Sequence, residues 1–188
     1  GDFQTLTEAA AASSAGDTIL LRAGVSGEQE TFPIVLDHAV TIEGEDGAVL
    51  DSPRFKTMAS VTADGVTLRN VRFQVRKWGI VADVSRAMTV EDCEFVLGDE
   101  ECRTSSTAIW LRGMKECAIR RCTFRQVGIC IAGDPLSDKS AGKTVLTGMC
   151  EAGEDPEYFS THEIADCTIN GRPYYYFVGQ DNLTVPTD

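Results

Sequence analysis

The side chains most able to do chemistry in this chain are acids and arginines that recur in similar segments. Asp83, Arg112 and Glu94 are the candidate catalytic residues. Hydrolysis of a glycosidic bond with inversion needs two carboxyl groups roughly 6.5–9.5 Å apart. Asp92 is near Glu94 in sequence, but it occupies a position typical of a backbone bend. The alternative role for Glu94 is a structural ion pair with Arg72, 22 residues earlier. Asp83 and Arg112 could likewise form a structural ion pair with each other instead of a catalytic pair.

Metal ligands are sought in two irregular segments and among the cysteines and histidines. Segments 97–107 and 133–160 are rich in Gly, Asp, Glu and Ser, and carboxylate oxygens are ligands that Ca²⁺ prefers. Candidate Ca²⁺ ligands are Asp99, Glu100, Glu154 and Asp155, although their spacing matches no known calcium loop. The chain has only two histidines, His38 and His162, and no CxxC pair, so the sequence gives little support for a zinc site.

A repeated pattern must position these side chains. The segments VTLRNVRF (66–73), MTVEDCEF (88–95) and CAIRRCTF (117–124) are copies of one pattern. Apolar residues at the equivalent place recur every 19 to 29 residues, at Ile19, Ile42, Leu68, Val90, Ile119, Val145, Ile164 and Val185. Such a period predicts a solenoid. Apolar and polar residues alternate from Val71 to Arg76, which predicts strands with one buried face rather than helices.

Each copy is predicted to be two strands joined by a bend, stacked in parallel sheets at about 4.8 Å per coil. Asn70, Asp92, Arg121 and Asp166 occupy the bend. One inward column then contains Val71, Cys93, Cys122 and Cys167, and the next contains Phe73, Phe95, Phe124 and Ile169. Cysteine in such a column is expected to be an unreactive core residue. The seven cysteines include two, Cys102 and Cys150, in the irregular segments, where they are better placed for an exposed pair.

A further strand in each copy, at 79–83, 108–112 and 128–132, predicts an outward column of Val81, Trp110 and Cys130. An apolar stripe with a tryptophan can stack against a sugar ring or contact a protein partner. The alternative is that a neighbouring loop covers it. The candidate binding residues are Trp110, Val81, Arg112 and Arg125.

Length and charge limit the remaining possibilities. A chain of 188 residues suits one domain, with a capping helix at 1–16 and stacked coils at 17–188. The net charge of −12 disfavours nucleic acid and anionic membranes as partners, and no apolar run approaches the roughly 18 residues of a membrane span. The segment LTVP (183–186) reads as the start of a further coil, so we expect end-to-end or edge association if the stack stops there.

The segments FQTLTEAAAASSAGDTILLRAG, VTIEGEDGAVLD, GVTLRNVRF and GIVADVSRAMTVEDCEF together resemble the right-handed parallel β-helix, or pectin-lyase-like, superfamily. The segment CTINGRPYYYFVGQDNLTVP is similar to one in the periplasmic copper-binding accessory proteins of nitrous-oxide reductase and related surface proteins. The resemblance implies an all-β, right-handed parallel β-helix (β-solenoid) of about seven to eight coils with an N-terminal capping helix. It also implies a periplasmic, extracellular or cell-surface location, with any leader already removed.

Three functions are compatible with that resemblance, because the fold hosts many activities. The first is a non-catalytic module that binds carbohydrate or a protein partner without a cofactor. The second is a polysaccharide lyase or hydrolase, and esterases of this fold pair an aspartate with an arginine on adjacent coils, as Asp83 and Arg112 would be. The third is metal delivery, for which copper would need soft Met, Cys or His ligands.

Overall fold

The computed structural model describes residues 3–53, 55–101, 106–133 and 155–184, and their strands form three sheets. Sheet A contains β1 (Thr18–Leu21), β4 (Thr41–Gly44), β7 (Thr67–Arg69), β10 (Thr89–Glu91), β13 (Ala118–Arg120) and β16 (Glu163–Ala165). Sheet B contains β2 (Gly24–Ser26), β5 (Ala48–Asp51), β8 (Arg72–Val75), β11 (Glu94–Leu97), β14 (Thr123–Arg125), β17 (Thr168–Ile169) and β18 (Arg172–Pro173). Sheet C contains β3 (Ile34–Leu36), β6 (Thr57–Val61), β9 (Trp78–Asp83), β12 (Thr107–Arg112) and β15 (Ile129–Ala132).

The chain visits sheets A, B and C in turn, so each strand pairs with the equivalent strand of the next repeat. The pairs are parallel, except that β18 runs antiparallel to β17. This arrangement is all-β and compatible with a β-solenoid. The fold has a core between the sheets because each strand points alternate side chains inward.

The predicted aromatic column is confirmed by the strand register. Phe95 lies opposite Phe73 on one side and Phe124 on the other, and Phe124 lies opposite Ile169. The ring centroids of Phe73 and Phe95 are 4.8 Å apart, and those of Phe95 and Phe124 are 5.3 Å apart. Their planes differ by only 6° and 8°, so the rings form one continuous stack.

The predicted bends are also confirmed. Asn70, Asp92, Arg121 and Asp166 have φ values of 54°, 54°, 52° and 55°, in the left-handed region. The Asn70 side-chain amide donates a hydrogen bond of 2.7 Å to the carbonyl oxygen of Gly44 in the preceding coil. A side chain at Gly44 is excluded, because its Cβ would lie 2.0 Å from the Asn70 carbonyl oxygen. The bend at Asn70 therefore requires glycine at position 44 in the coil before it.

A short helix, α1 (Leu6–Ala12), packs on the core at the N-terminal end, within the segment 1–16 for which a capping helix was expected. The Thr5 hydroxyl caps it by accepting a hydrogen bond of 3.1 Å from the Glu8 amide. Leu6 and Ala10 are buried in the core, where α1 packs against β1 and β3. The helix thus shields apolar side chains that would otherwise face water.

At the other end, the chain reverses direction instead of continuing sheet B in parallel. Ile169 pairs with Arg172 in the antiparallel β17–β18 turn. Tyr174 then packs on the core, with its ring centroid 6.3 Å from that of Phe124. Val185, predicted to begin a further coil, lies outside the described residues.

A second short helix, α2 (Glu157–Ser160), lies within the predicted irregular segment 133–160, of which residues 134–154 are outside the described part. None of the described helices is long and apolar enough to cross a membrane.

Candidate functional site

The outer face of sheet C carries the predicted apolar column. The register sets Trp110 opposite Val81 on one side and Cys130 on the other. Val81 is only 6% exposed, whereas Trp110 and Cys130 are partly exposed. The accessible part of this column is therefore formed by Trp110 and Cys130, and Val81 is almost fully covered.

A second tryptophan, which sequence reasoning missed, completes this face. The ring centroids of Trp78 and Trp110 are 5.7 Å apart, with planes inclined at 50°. Trp78 is the first residue of β9, and its parity matches the inward-facing Ile80. The alternation of inward and outward positions along the strand therefore gave no indication that Trp78 would contact Trp110. The neighbouring Gly79 is packed closely, since a Cβ there would lie 2.4 Å from the Ala108 carbonyl oxygen, but it gives no indication of where the Trp78 ring lies.

Two cations flank the tryptophans. The Arg112 guanidinium lies 5.0 Å from the centroid of the Trp110 ring, and the Lys77 ammonium lies 5.0 Å from that of Trp78. Both distances are within the range of cation–π attraction. We refer to Lys77, Trp78, Trp110 and Arg112 as the tryptophan surface. The Trp110 indole N–H is buried and has no hydrogen-bond partner among the described residues.

Asp83 and Arg112, the candidate catalytic pair, form a bidentate ion pair across β9 and β12. The Arg112 Nε and Nη2 groups each donate to a different carboxylate oxygen of Asp83. Both side chains are about three-quarters buried, with 27% of Arg112 and 25% of Asp83 exposed. Asp83 therefore holds the guanidinium beside the Trp110 ring. Two of the five N–H donors of Arg112 are used in this way, and three remain.

Glu94 lies on sheet B, in the ion pair with Arg72 that the sequence suggested. Its carboxylate is 3.4 Å from Arg72 and 3.0 Å from Arg125, so it lies between two guanidinium groups. Arg125 belongs to β14 of sheet B, while Trp110 belongs to β12 of sheet C. The predicted binding residues are thus divided between two sheets, and Arg125 is engaged by Glu94.

The candidate calcium ligands have other partners. Glu100 accepts a hydrogen bond of 2.9 Å from the Gln126 amide, and Asp99 accepts one of 3.1 Å from a backbone amide. Asp155 lies 2.6 Å from the Lys115 ammonium, and that hydrogen bond lowers the pKa of Asp155. Glu154 lies outside the described residues. Within the described ranges, no three His, Cys, Asp or Glu side chains come together as a metal site.

His162 also has its ring nitrogens engaged. Its Nδ1 accepts a hydrogen bond of 3.3 Å from the Cys117 amide, and its Nε2 lies 2.8 Å from the Tyr158 carbonyl oxygen. These partners define a neutral imidazole with the proton on Nε2. Burial lowers the pKa of His162 further, which favours the same form. The residue is a structural link between α2 and the core.

The predicted core thiols are buried and unpaired. Cys93, Cys122 and Cys167 lie in adjacent coils, each no more than 3% exposed, and Cys117 is buried nearby. Burial raises the pKa of Cys117 to about 12. Cys102 and Cys150, predicted as the better candidates for an exposed pair, lie outside the described residues.

Comparison with known proteins adds no relative: no family model, curated protein or solved structure matches the chain. The site is therefore interpreted from its own geometry.

Proposed function

We propose that this chain is a non-catalytic carbohydrate-binding module, in which the tryptophan surface on sheet C contacts the sugar. The observation that carries the proposal is the inclined Trp78–Trp110 pair with a cation beside each ring. Aromatic rings offer flat apolar area with an electron-rich face, on which the C–H groups of a sugar ring stack. The remaining N–H donors of Arg112 and the Lys77 ammonium supply hydrogen bonds to hydroxyl or carboxylate groups. An acidic polysaccharide fits this combination best.

The proposed scaffold is a right-handed parallel β-helix of the pectin-lyase-like type. The cyclic order of the three parallel sheets supports it. Parallel crossover connections are right-handed in roughly 98% of cases, which supports the hand. The resemblance of segments such as GVTLRNVRF supports the superfamily, and an exported or cell-surface location is proposed on the same resemblance.

The engagement of the candidate acids supports binding rather than catalysis. Both carboxylate oxygens of Asp83 accept hydrogen bonds from Arg112. Glu94 is held between two arginines, on a different sheet from Asp83. A general acid or base must exchange a proton with the substrate at hydrogen-bond distance. Each of these carboxylates would first have to leave its arginine, at the cost of an ion pair that is partly shielded from water.

The test is isothermal titration of the purified chain with polygalacturonate and alginate, with cellohexaose as a neutral comparison. We expect Trp110→Ala and Trp78→Ala each to weaken binding of the acidic glycans by about tenfold or more, since stacking and hydrogen bonding at hot spots are worth about 2 kcal/mol. Phe177→Ala is the matched control, because Phe177 is an exposed aromatic residue that stacks on Tyr175 in the C-terminal segment.

Two results would overturn the proposal. One is unchanged glycan affinity in both tryptophan variants while their circular dichroism spectra match that of the parent chain. The other is release of reducing ends or unsaturated uronides from these glycans, with or without Ca²⁺, which would favour the enzyme alternative. If that activity were lost in Asp83→Asn, the ion pair would be catalytic rather than structural.

A further inference from the structure

Among the described residues, the first strand of sheet A, β1, is paired on one side only. The Thr41 amide donates to the Asp17 carbonyl oxygen at 2.9 Å, and the Glu45 amide donates to the Leu21 carbonyl oxygen at 2.8 Å. Successive residues of a strand direct their N–H and C=O groups to opposite sides. Residues 17, 19 and 21 therefore face β4, and Thr18 and Leu20 direct theirs away from it. Within the described part of the chain, β1 pairs with β4 alone.

A groove runs along this edge. The helix α1 covers the core beside β1, but a cavity of about 540 Å³ lies between the helix segment and the strand. From the helix, Leu6 and two small side chains, Ala9 and Ala12, line the groove, together with Ser13 at the helix end. Leu20, on the strand, is 50% exposed, and Phe3, beside the groove, is 55% exposed. The volume lies within the roughly 300–1,000 Å³ of typical ligand sites.

Charge is distributed unevenly along the chain, and this distribution indicates which kind of partner the groove would bind. Residues 1–53 contain ten acidic residues and a single basic residue, Arg22. Residues 54–133 contain thirteen basic and nine acidic residues, and residues 134–188 contain ten acidic and three basic residues. The end that carries the groove therefore attracts a cationic partner. Among the described residues at the opposite end, 155–184 contain five acidic residues and one basic residue. A second copy added end to end would therefore bring two acidic ends together, which disfavours self-association.

We propose that the groove between α1 and β1 binds an extended, basic segment of another protein, which pairs with β1 as an added strand. The backbone groups of Thr18 and Leu20 would bond to the backbone of the segment, as in other cases of strand addition. Alternate side chains of the segment would point into the groove above Ala9 and Ala12, where there is room for small branched residues. The others would point outward, where lysine or arginine experiences the negative potential. This site is independent of the tryptophan surface.

The probe is a synthetic peptide with the sequence acetyl-Lys-Val-Lys-Val-Lys-Val-Lys-amide, labelled for fluorescence anisotropy. Its matched control replaces each lysine by glutamate. We expect the lysine peptide to bind and the glutamate peptide not to bind. Binding of the lysine peptide should weaken by about tenfold or more between 0.01 M and 1 M salt, as the Debye length falls from about 30 Å to about 3 Å. Equal binding of the two peptides would overturn the proposal.

The edge itself is tested by Leu20→Pro, with Leu20→Ala as the control. Proline removes an N–H that faces away from β4, and edge strands tolerate proline at such positions, so the ladder with β4 is retained. Both variants lose the leucine side chain, but only the alanine variant keeps the amide. We expect Leu20→Pro to weaken peptide binding about two- to tenfold relative to Leu20→Ala, on the scale of one lost backbone hydrogen bond. Equal affinity in the two variants would refute strand addition.

Amide hydrogen exchange in the unmodified chain provides a test that does not depend on how the proline variant folds. The amides of Thr18 and Leu20 should exchange rapidly in the free protein and become protected when the lysine peptide is bound. The amide of Leu21, which faces β4, should be protected in both states. Binding without protection of Thr18 and Leu20 would contradict the proposal. Protection of these amides without peptide, rising with protein concentration, would instead identify a second copy as the occupant.

Discussion

Removal of the middle ring of the phenylalanine stack tests the geometry on which the fold depends. Phe95 is fully buried and lies between Phe73 and Phe124, 4.8 Å and 5.3 Å from their ring centroids. Phe-to-Ala changes in cores cost roughly 3–5 kcal/mol of unfolding free energy. Each of the two lost ring pairs adds about 0.5–1.5 kcal/mol beyond the loss of buried area. We therefore expect Phe95→Ala to cost about 5 kcal/mol, as much as the whole stability of a marginal domain.

The assay is urea unfolding followed by far-ultraviolet circular dichroism, with Phe95→Leu as the control that retains most of the apolar volume. The leucine variant should lose roughly 1–2 kcal/mol, because volume is largely conserved. A double-mutant cycle separates packing from stacking. Phe73 and Phe95 should show a coupling of about 0.5–1.5 kcal/mol. Phe73 and Phe124, on opposite sides of Phe95, should be additive within about 0.5 kcal/mol.

The reasoning would be refuted if Phe95→Ala cost less than about 1 kcal/mol with an unchanged m-value, since surface substitutions fall in that range. It would also fail if Phe73 and Phe124 were coupled as strongly as Phe73 and Phe95. Either result would mean that the column is not a contiguous stack of neighbouring rings.

Two further predictions concern titrating groups. Because burial lowers the pKa of His162, the unfolded chain binds more protons than the native state when the pH is below about 6.5. The contribution of neutral His162 to stability is therefore complete above about pH 6.5 and is lost as the pH falls through the lowered pKa. Urea unfolding between about pH 7.5 and pH 5 should show a smaller pH dependence in His162→Gln than in the parent chain, and an equal pH dependence would contradict this prediction. Burial raises the pKa of both Cys117 and Cys130, but Cys117 is buried whereas Cys130 is partly exposed. Iodoacetamide at about pH 8 should therefore modify Cys130 before Cys117 in the native protein, as followed by mass spectrometry of the peptides. Equal rates of modification would contradict this prediction and would show that the surroundings of Cys117 open readily. The control is the protein in urea, where both cysteines should be modified.

The two proposed surfaces lie at different places on the fold. The tryptophan surface is on the outer face of sheet C, where Arg112 is oriented by Asp83. The groove is at the edge of sheet A, beside α1. Leu20→Pro should therefore leave glycan binding unchanged, and Trp110→Ala should leave peptide binding unchanged. The two experiments can fail separately.

The repeated sequence pattern determined much of the local architecture. Alternation of apolar and polar residues fixes which side chains point inward, and a repeat of equivalent positions fixes which of them become neighbours in adjacent strands. The pairing of Phe73 with Phe95, and of Trp110 with Val81, follows from these two facts. The left-handed bend at Asn70 was likewise predictable, because asparagine tolerates that backbone conformation.

Only the tertiary structure decided which chemical groups meet. Trp78 is the first residue of its strand and has the parity of an inward residue, yet it is partly exposed and its ring lies beside Trp110. Asp155 is paired with Lys115, a residue 40 positions away in the sequence that occupies no equivalent place in the repeat. Repetition specifies contacts between equivalent positions. Contacts between non-equivalent positions depend on rotamers and loop paths, and those are settled when the whole chain packs.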